Sequence, residues 1–592
     1  MENRYLKYIN EYLAEIRGLN RKSTLAGLIK LVLLVIFVVF LWKGIQSGYA
    51  AYSLAGMTAA FILSVPMWIY HNIVVTKIKK LKAKVIIAES YIKRIQGSWA
   101  DFAVTGQEYV DYQHSYSYDL DIFGDKSLFQ FLNIAGTRQG REQLYRDLAE
   151  SCYNEAEIKS RQQGIGELSA EGYDHFRFEY QYQSELVREN EKFDSFIDLL
   201  TDGKYFFKAG WLRKLFGFMP LVTLLICVLA FAAGLVPLRL PAIILLGAQM
   251  VMWIALLIKT HGYLASVQEA KLALEEYDNI FKLISAQSFD AEVLKEINDK
   301  LGQGKAGKAV KILDGIVQRI SLNGNIITNV MLNILLLWDI NCSLSLEKWK
   351  RDYAKELPGW LKALGDFEAM MSLSVAGSTV SGMSFPVQIQ EKGMRAAGLG
   401  HPLIQNDSRI CNDFDMKNEV YVVSGSNMSG KTTFLRTVGI NLVLAKAGAA
   451  VCADRMEFSD MHVMTSMRIV DDLHDGISTF YAELKKIKSI VSYTKKDLIF
   501  LIDEIFRGTN SEDRTEGAKA VMARLSENGA CGLLTTHDLK LCESTEEVQI
   551  KNYHFSEKYM NGKLCFEYKI RDGIAKTTNG RYLMQMLGLI GS

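Results

Sequence analysis

The sequence predicts an α/β domain with a mostly parallel sheet near its C-terminal end, joined to a long helical lever and core region and to two hairpins of membrane-length helices. Three observations carry this prediction. A β-branched run enters a glycine-rich turn at Val420 to Thr433 (VYVVSGSNMSGKTT) and leaves it into a helix starting Phe434-Leu435-Arg436. Two more apolar runs, Leu498 to Glu504 and Gly532 to Leu534, read as buried strands with polar residues at their C-terminal ends. Upstream lie two pairs of long apolar segments, each long enough to cross a bilayer as a helix.

Composition narrows the classes. With 592 residues the chain has room for roughly three or four domains. Lys and Arg total 68 against 66 acidic residues, so there is no global basic excess and any nucleic-acid-binding face must be local. The eight cysteines are scattered without a CxxC pair, which argues for reduced thiols and against a zinc site or disulfide frame. Seven prolines and a hydrophobic fraction of 49% suit a helix-rich chain with membrane-embedded length.

In chain order, residues 1–85 hold an N-terminal helix and the first hairpin. Tyr5, Tyr8, Ile9, Tyr12 and Ile16 recur at helical spacing, predicting a short amphipathic helix over 1–24. Leu25 to Trp42, broken by Lys30, and the uncharged Ala50 to Tyr70 form the first pair of spans. A signal peptide is the competing reading, but no small-residue cleavage site is evident and a second span follows at once. Lys77, Lys79, Lys80, Lys82 and Lys84 follow the pair, while the connector offers only Lys43. That asymmetry puts both ends in the cytoplasm of a multi-pass cell-membrane protein. Residues 86–214 read as a mostly helical first part of the core. Residues 215–258 are the second hairpin, Leu215 to Leu238 then Leu240 to Ile258, with Lys204, Lys208, Arg213 and Lys214 before it and Lys259 after it. Residues 259–385 read as long lever helices, within which Ile326 to Trp338, interrupted by Asn329 and Asn333, reads as a buried soluble helix. Residues 386–592 form the α/β domain.

The glycine-rich turn carries the chemistry. Gly425, Gly430, Lys431 and Thr432 fit the phosphate-loop pattern, which makes the domain a P-loop NTPase fold. Backbone N–H groups of Gly425, Ser426, Asn427, Met428, Ser429 and Gly430 would curl around phosphate oxygens at a helix N-terminus, with Thr433 beside them. Lys431 would reach the β- and γ-phosphates of ATP, and the Thr432 hydroxyl would ligate Mg²⁺. Asp503 would hold the metal through water and Glu504 would act as general base on the attacking water. His537, after Thr535-Thr536, is placed to touch the γ-phosphate or orient the water. Between these strands, Asp472 to Leu484 (DLHDGISTFYAEL) contains a turn at Gly476-Ile477-Ser478-Thr479 that opens a helix. On its own subunit it has no evident task. In ATPases that build the site between facing subunits, such a segment completes the partner's pocket, which predicts a homodimer.

Together these pieces resemble the ATPase domain of the MutS family of mismatch-repair proteins. The resemblance rests on Ser424 through Thr432, Asp472 through Ser478-Thr479-Phe480 to Glu483, Asp503-Glu504-Ile505-Phe506-Arg507-Gly508-Thr509, and Thr536-His537. Asn427-Met428 inside the loop and Arg507-Gly508-Thr509 after the acids are more specific than the loop pattern itself. Gly580 to Leu589 resembles the family's closing helix, and Leu120 to Leu148 and Asp366 to Leu373 resemble parts of its core and lever. The resemblance implies that Lys431, Thr432, Asp503, Glu504 and His537 take the roles above, that Asn427 borders the nucleotide, and that Ser478 serves the other subunit's phosphate. It departs where two spans stand in place of the mismatch-reading domain with its Phe-x-Glu wedge, so mismatch recognition is not expected. The chain resembles the membrane-bound MutS-related proteins.

Two function classes follow. The first is a membrane-anchored dimeric ATPase whose levers switch with nucleotide state, acting on DNA by family analogy or on a protein or membrane partner, given the near-neutral charge. The second is an ATP-driven transporter. Against it, few polar residues lie in the spans, chiefly Lys30, Thr223 and Gln249, and the Ser-Gly-Gly run of transporter ATPases is missing. An inert membrane scaffold is weaker still, since every hydrolytic residue is present.

Overall fold

The computed structural model describes residues 2–46, 48–188, 192–205, 210–269, 271–301, 305–322, 326–426, 428–468, 479–495, 497–507, 510–544, 548–560 and 563–575. Two 45-residue helices open the chain, α1 (Glu2–Gln46) and α2 (Ala51–Ile95), and pack against each other along their length. The expected amphipathic helix over 1–24 is therefore the first half of α1, with no break before the apolar segment. Its buried face is Tyr5, Ile9, Tyr12 and Ile16. Tyr5 stacks on Tyr91 at 5.0 Å and donates to the Ser378 carbonyl at 3.3 Å, which seats the N-terminus against the helical body.

Among the described residues, four helices are long and apolar enough to cross a membrane: α1, α2, Trp211–Ala232 and Val236–Ile258. In the second hairpin the expected break near Leu238–Leu240 falls earlier. Gly234 takes φ +74, which suits a residue without a Cβ, and Val236–Leu238 with Pro237 forms a 3₁₀ turn leading into helix Arg239–Glu269. Val236–Leu238 thus belongs to the turn and not to the first span. Inside this hairpin the buried Gln249 donates to Thr223 Oγ1 at 2.8 Å and Thr223 donates on to the Met219 carbonyl at 2.9 Å, while Gln249 Oε1 has no partner among the described residues.

The region over 86–214 is less helical than expected. Residues 96–127 contain only 3₁₀ turns at Trp99–Asp101 and Gln107–Tyr109, and run as an irregular connector. Its aspartates and glycines favour local turns over a helix. Helices resume at Leu128–Leu132 and Arg138–Ala149. The long helix Leu357–Thr379 is buried along almost all of its length and leads directly from the helical body to the first small strand at Met383–Ser384. Its Glu368, fully buried, accepts the Gly136 and Thr137 N–H groups at 3.2 and 3.1 Å, placing an anion at the N-terminus of helix Arg138–Ala149.

The α/β domain is built on a six-stranded sheet. Its spatial order is Lys563–Asp572, Ile550–Met560, Val420–Ser424, Cys531–Thr536, Leu498–Asp503 and His462–Ser466. All neighbours pair parallel except the terminal Ile550–Met560 and Lys563–Asp572 hairpin. The three strands that carry the motifs are completely buried, as their unbroken apolar runs require. A four-stranded sheet (Val387–Gln388, Arg455–Phe458, Met394–Leu399, Asn412–Met416) flanks it.

Candidate functional site

Parallel pairing brings three strand ends to one edge. Thr536 pairs with Ser424 and Thr535 with Asp503, so the glycine loop, the acidic pair and Thr536-His537 meet where open α/β sheets place their ligands. The loop turns on positive φ at Gly425 (+152), Met428 (+71) and Gly430 (+104). Gly430 is also tightly faced: a Cβ there would lie 3.0 Å from the Tyr568 ring. Ser429 Oγ donates to the Ser426 carbonyl at 2.8 Å and braces the turn. Helix Lys431–Lys446 starts directly after it. Asn427 lies outside the described residues, as do Ser478 and Gly580 to Leu589.

Lys431 is buried and its Nζ donates to the Gly425 and Ser426 carbonyls, both at 2.8 Å. Burial lowers its pKa, while Glu504 and Asp503 act the other way. Thr432 Oγ1 donates to Asp503 Oδ2 at 2.8 Å, so the two predicted metal ligands are already in contact. A hydroxyl beside a carboxylate is the hard-oxygen pair that suits Mg²⁺, which takes few protein ligands and completes its shell with water and phosphate. Asp503 also accepts from Thr535 Oγ1 and from Arg507 Nη2, the latter at 2.8 Å. Thr433 lines the cavity beside the loop, its carbonyl accepting from Thr437 Oγ1 at 2.7 Å.

Glu504 sits one residue beyond the strand with φ +53, a left-handed conformation uncommon for a residue with a Cβ. Its N–H donates to the Thr535 carbonyl and hydroxyl, each at 3.2 Å, which holds that geometry. The carboxylate stands 4.0 Å from Lys431 Nζ, 3.6 Å from Arg507 Nε and 3.6 Å from His537 Nδ1. His537 is exposed. Glu483, on helix Thr479–Val491, accepts the Phe506 N–H at 2.5 Å and pins the turn after the acids. Desolvation raises its pKa.

A cavity of about 450 Å³ opens over the loop. Its lining joins polar Lys431, Thr432 and Glu504 with apolar Leu399, Ile410, Phe434 and Tyr568, and includes His401. This mixture suits a ligand with both an anionic and a flat apolar part. The apolar lining was not among the expected site residues. Its members come from separate strands and turns, and only the short His401-Pro402 turn is visible locally. Burial, with Arg436 and Arg409 adding, pushes the His401 pKa down from 6.5 to about 4. The unfolded chain takes up this proton near 6.5 and the folded one only near 4. Stability from this group is therefore complete above 6.5 and is lost as pH falls towards about 4. His401→Gln is expected to flatten the loss of melting temperature between about pH 7 and about pH 5 relative to the parent. Parallel curves for the two proteins would refute the assignment.

The connector supplies a contact that the sequence reading did not contain. Leu120 packs where a Cβ on Gly439 would lie, 2.7 Å from its methyl groups, against the loop helix. Asp119, fully buried, accepts from Thr465 Oγ1 (2.7 Å), the Met467 and Arg468 N–H groups (both 3.0 Å) and Lys486 Nζ (2.6 Å). Asp121 takes Arg436 at 2.8 Å and Arg468 at 2.9 Å. Two carboxylates of the helical part thus grip the loop helix, the edge strand and helix Thr479–Val491 together.

Comparison with known proteins gives the same direction. Residues 421–590 match the family MutS domain V. The chain is 28% identical over 248 residues to the DNA mismatch repair protein MutS of Listeria welshimeri, which is 40% of this chain and 29% of that protein. The Listeria innocua protein of the same description matches to the same extent. That of Halalkalibacterium halodurans is 27% identical over 256 residues, 42% of this chain and 29% of its own length. The match thus spans less than a third of the length of these relatives.

Proposed function

We propose that this MutS-related protein is a membrane-anchored, dimeric ATPase whose helical levers change position with nucleotide state. The observation that carries the reading is the convergence of Lys431, Thr432, Asp503, Glu504 and His537 on one sheet edge beside a cavity with both polar and apolar lining. Mg²⁺ held at Thr432 and Asp503 would draw charge from the phosphoryl group being transferred. Lys431 and the loop N–H groups bind and orient the β- and γ-phosphates. Glu504 receives the proton of the attacking water, and His537 beside it orients that water. Asp119 and Asp121 couple the site to the levers. Ser478 of a facing subunit completes the pocket, which makes the working form a homodimer.

In this reading the four apolar helices span the cell membrane, with the N-terminus and the ATPase domain in the cytoplasm. The basic flank from Lys77 to Lys84 and the single Lys43 in the connector support that orientation. DNA is the first ligand to test, because the relatives are described as DNA mismatch repair proteins. No role in mismatch recognition is proposed. Transport is disfavoured by the scarcity of polar residues in the spans, chiefly Lys30, Thr223 and Gln249.

The test is ATP turnover of the purified full chain, with and without duplex DNA, at low and high salt. Stimulation that disappears at high salt would put the levers on nucleic acid. Unchanged turnover would assign them to a protein or lipid partner. Lys431→Ala is expected to abolish ATP binding measured with a fluorescent nucleotide, since the alanine offers no charge to the phosphates. Parental affinity in that variant would remove the site from the loop.

A further inference from the structure

The apolar helix expected to be a buried soluble element differs in the structure. Helix Ile326–Leu336 is 11 residues long and meets helix Trp338–Tyr353 at a bend of 72°. It is not enclosed: Met331 is 57% exposed, and Val330, Leu332 and Ile334 are half-buried. The helix packs against both helices of the second hairpin. Just past the bend, Leu337 and Ile340 bury against Phe216, with Leu212, Met252, Trp253 and Leu256 around them. Those hairpin residues lie at the ends remote from the turn at Ala233–Leu238, so the contact is at one end of the hairpin.

Several polar groups at the bend find side-chain partners. Leu337 adopts φ +46, which breaks the helical hydrogen-bond ladder. Asn333 Oδ1 accepts the Asp339 N–H at 2.9 Å, and Asn333 Nδ2 donates to Asp339 Oδ2 at 3.0 Å. Asn341 Nδ2 donates to the Leu336 carbonyl at 2.9 Å and reaches the Phe216 carbonyl of the hairpin at 3.3 Å. Trp253 Nε1 of the hairpin donates to Asp339 Oδ2 at 3.3 Å. Satisfying a broken helix internally is what the bilayer demands of non-helical backbone at membrane depth. Of the two asparagines that interrupt the apolar run, Asn333 is used in this way, and Asn329 Oδ1 accepts from Asn333 Nδ2 at 2.8 Å.

Resting on the reading of the second hairpin as membrane-spanning, we propose that helix Ile326–Leu336 is embedded in the cytoplasmic leaflet beside that hairpin, its outer face covered by lipid acyl chains. Its length, about 16 Å, is half of a hydrocarbon core of about 30 Å. It enters one leaflet and does not cross. On the hairpin it packs against, Leu221, Leu225 and Ile254 are likewise exposed apolar residues. The occupant is therefore lipid, which also covers those residues. The bend then returns the chain through Trp338–Tyr353 towards Leu357–Thr379, the helix that leads to the α/β domain. The membrane thereby holds the lever directly, in addition to the anchors.

The test uses the full chain reconstituted in liposomes, with a nitroxide attached at Met331→Cys and the signal of the identically treated parent subtracted. Leu225→Cys on the hairpin and Tyr112→Cys on the connector serve as lipid and water references, both parent residues being exposed. Relaxation by oxygen is compared with relaxation by a water-soluble nickel chelate. The expected result is loss of the nickel effect at position 331, as at 225, with the oxygen effect retained. Nickel relaxation at 331 matching that at 112, with 225 still shielded, would overturn this inference and leave the hairpin reading intact. Nickel relaxation at both 225 and 331 would overturn both. Shielding of 331 from oxygen and nickel alike would place a protein surface there and also overturn the proposal.

Discussion

Glu504→Gln is expected to lower steady-state ATP turnover by roughly 10²–10⁴-fold while leaving nucleotide binding intact, the usual range for loss of a general base. The amide preserves the size of the side chain and the left-handed backbone held by Thr535, so the loop and Asp503 keep their positions. It removes the proton acceptor. It also removes a negative charge 4.0 Å from Lys431, so affinity for an anionic nucleotide is expected to hold or tighten. Phosphate release and binding of a fluorescent ATP analogue, measured on the same preparation, separate the two effects. Turnover equal to the parent would show that the proton goes elsewhere, with His537 the next group to remove.

Asp119→Ala is expected to destabilise the protein by about 3 kcal/mol, the scale for breaking a buried, hydrogen-bonded ion pair. The alanine strands the Met467 and Arg468 N–H groups and the Lys486 ammonium at once, while the Thr465 hydroxyl keeps the Ser115 carbonyl. The same substitution is expected to disconnect turnover from whatever the levers hold, because Asp119 joins the connector to the edge strand and to helix Thr479–Val491. Denaturant unfolding reads the first effect, and ligand stimulation of ATP turnover reads the second. Asp119→Asn, which keeps the shape and one acceptor, is expected to fall between Ala and the parent. An unchanged unfolding midpoint in Asp119→Ala would mean that the cluster is not a structural joint.

The residues that meet at the sheet edge were legible because their signals are local. A glycine loop between strand and helix, or acids at the end of an apolar run, needs only a few consecutive residues to be read. The Asp119 and Asp121 joint was not legible, although the stretch around it stood out. Its partners lie between 315 and 367 residues away, and the fold alone brings them together. The apolar lining of the cavity is distributed in the same manner. Helix Ile326–Leu336 was misread for a different reason. Asn329 and Asn333 looked like interruptions of a core helix, whereas Asn333 is the cap of a bend that sequence periodicity does not reveal. The N-terminal helix was read correctly in its buried face and cut too short, since nothing at Thr24 ends it: Ser23 and Thr24 continue into the apolar run without a proline, and Gly27 is held within the helix.

That continuity has a consequence for assembly. With 45 residues each, α1 and α2 are about 68 Å long, more than twice a hydrocarbon core of about 30 Å. Both are continuous helices, α2 with Pro66 inside it, and Tyr5 and Tyr91 bolt their inner ends to the helical body. In a membrane, the α/β domain of every copy would then be confined in height and tilt. A search for a partner would be confined to the plane of the bilayer and to rotation about its normal. Much of the orientational entropy that soluble subunits lose on pairing would already be spent during insertion. Pairing would respond to the surface density of the chain in the membrane, and the concentration of the chain in bulk would matter little.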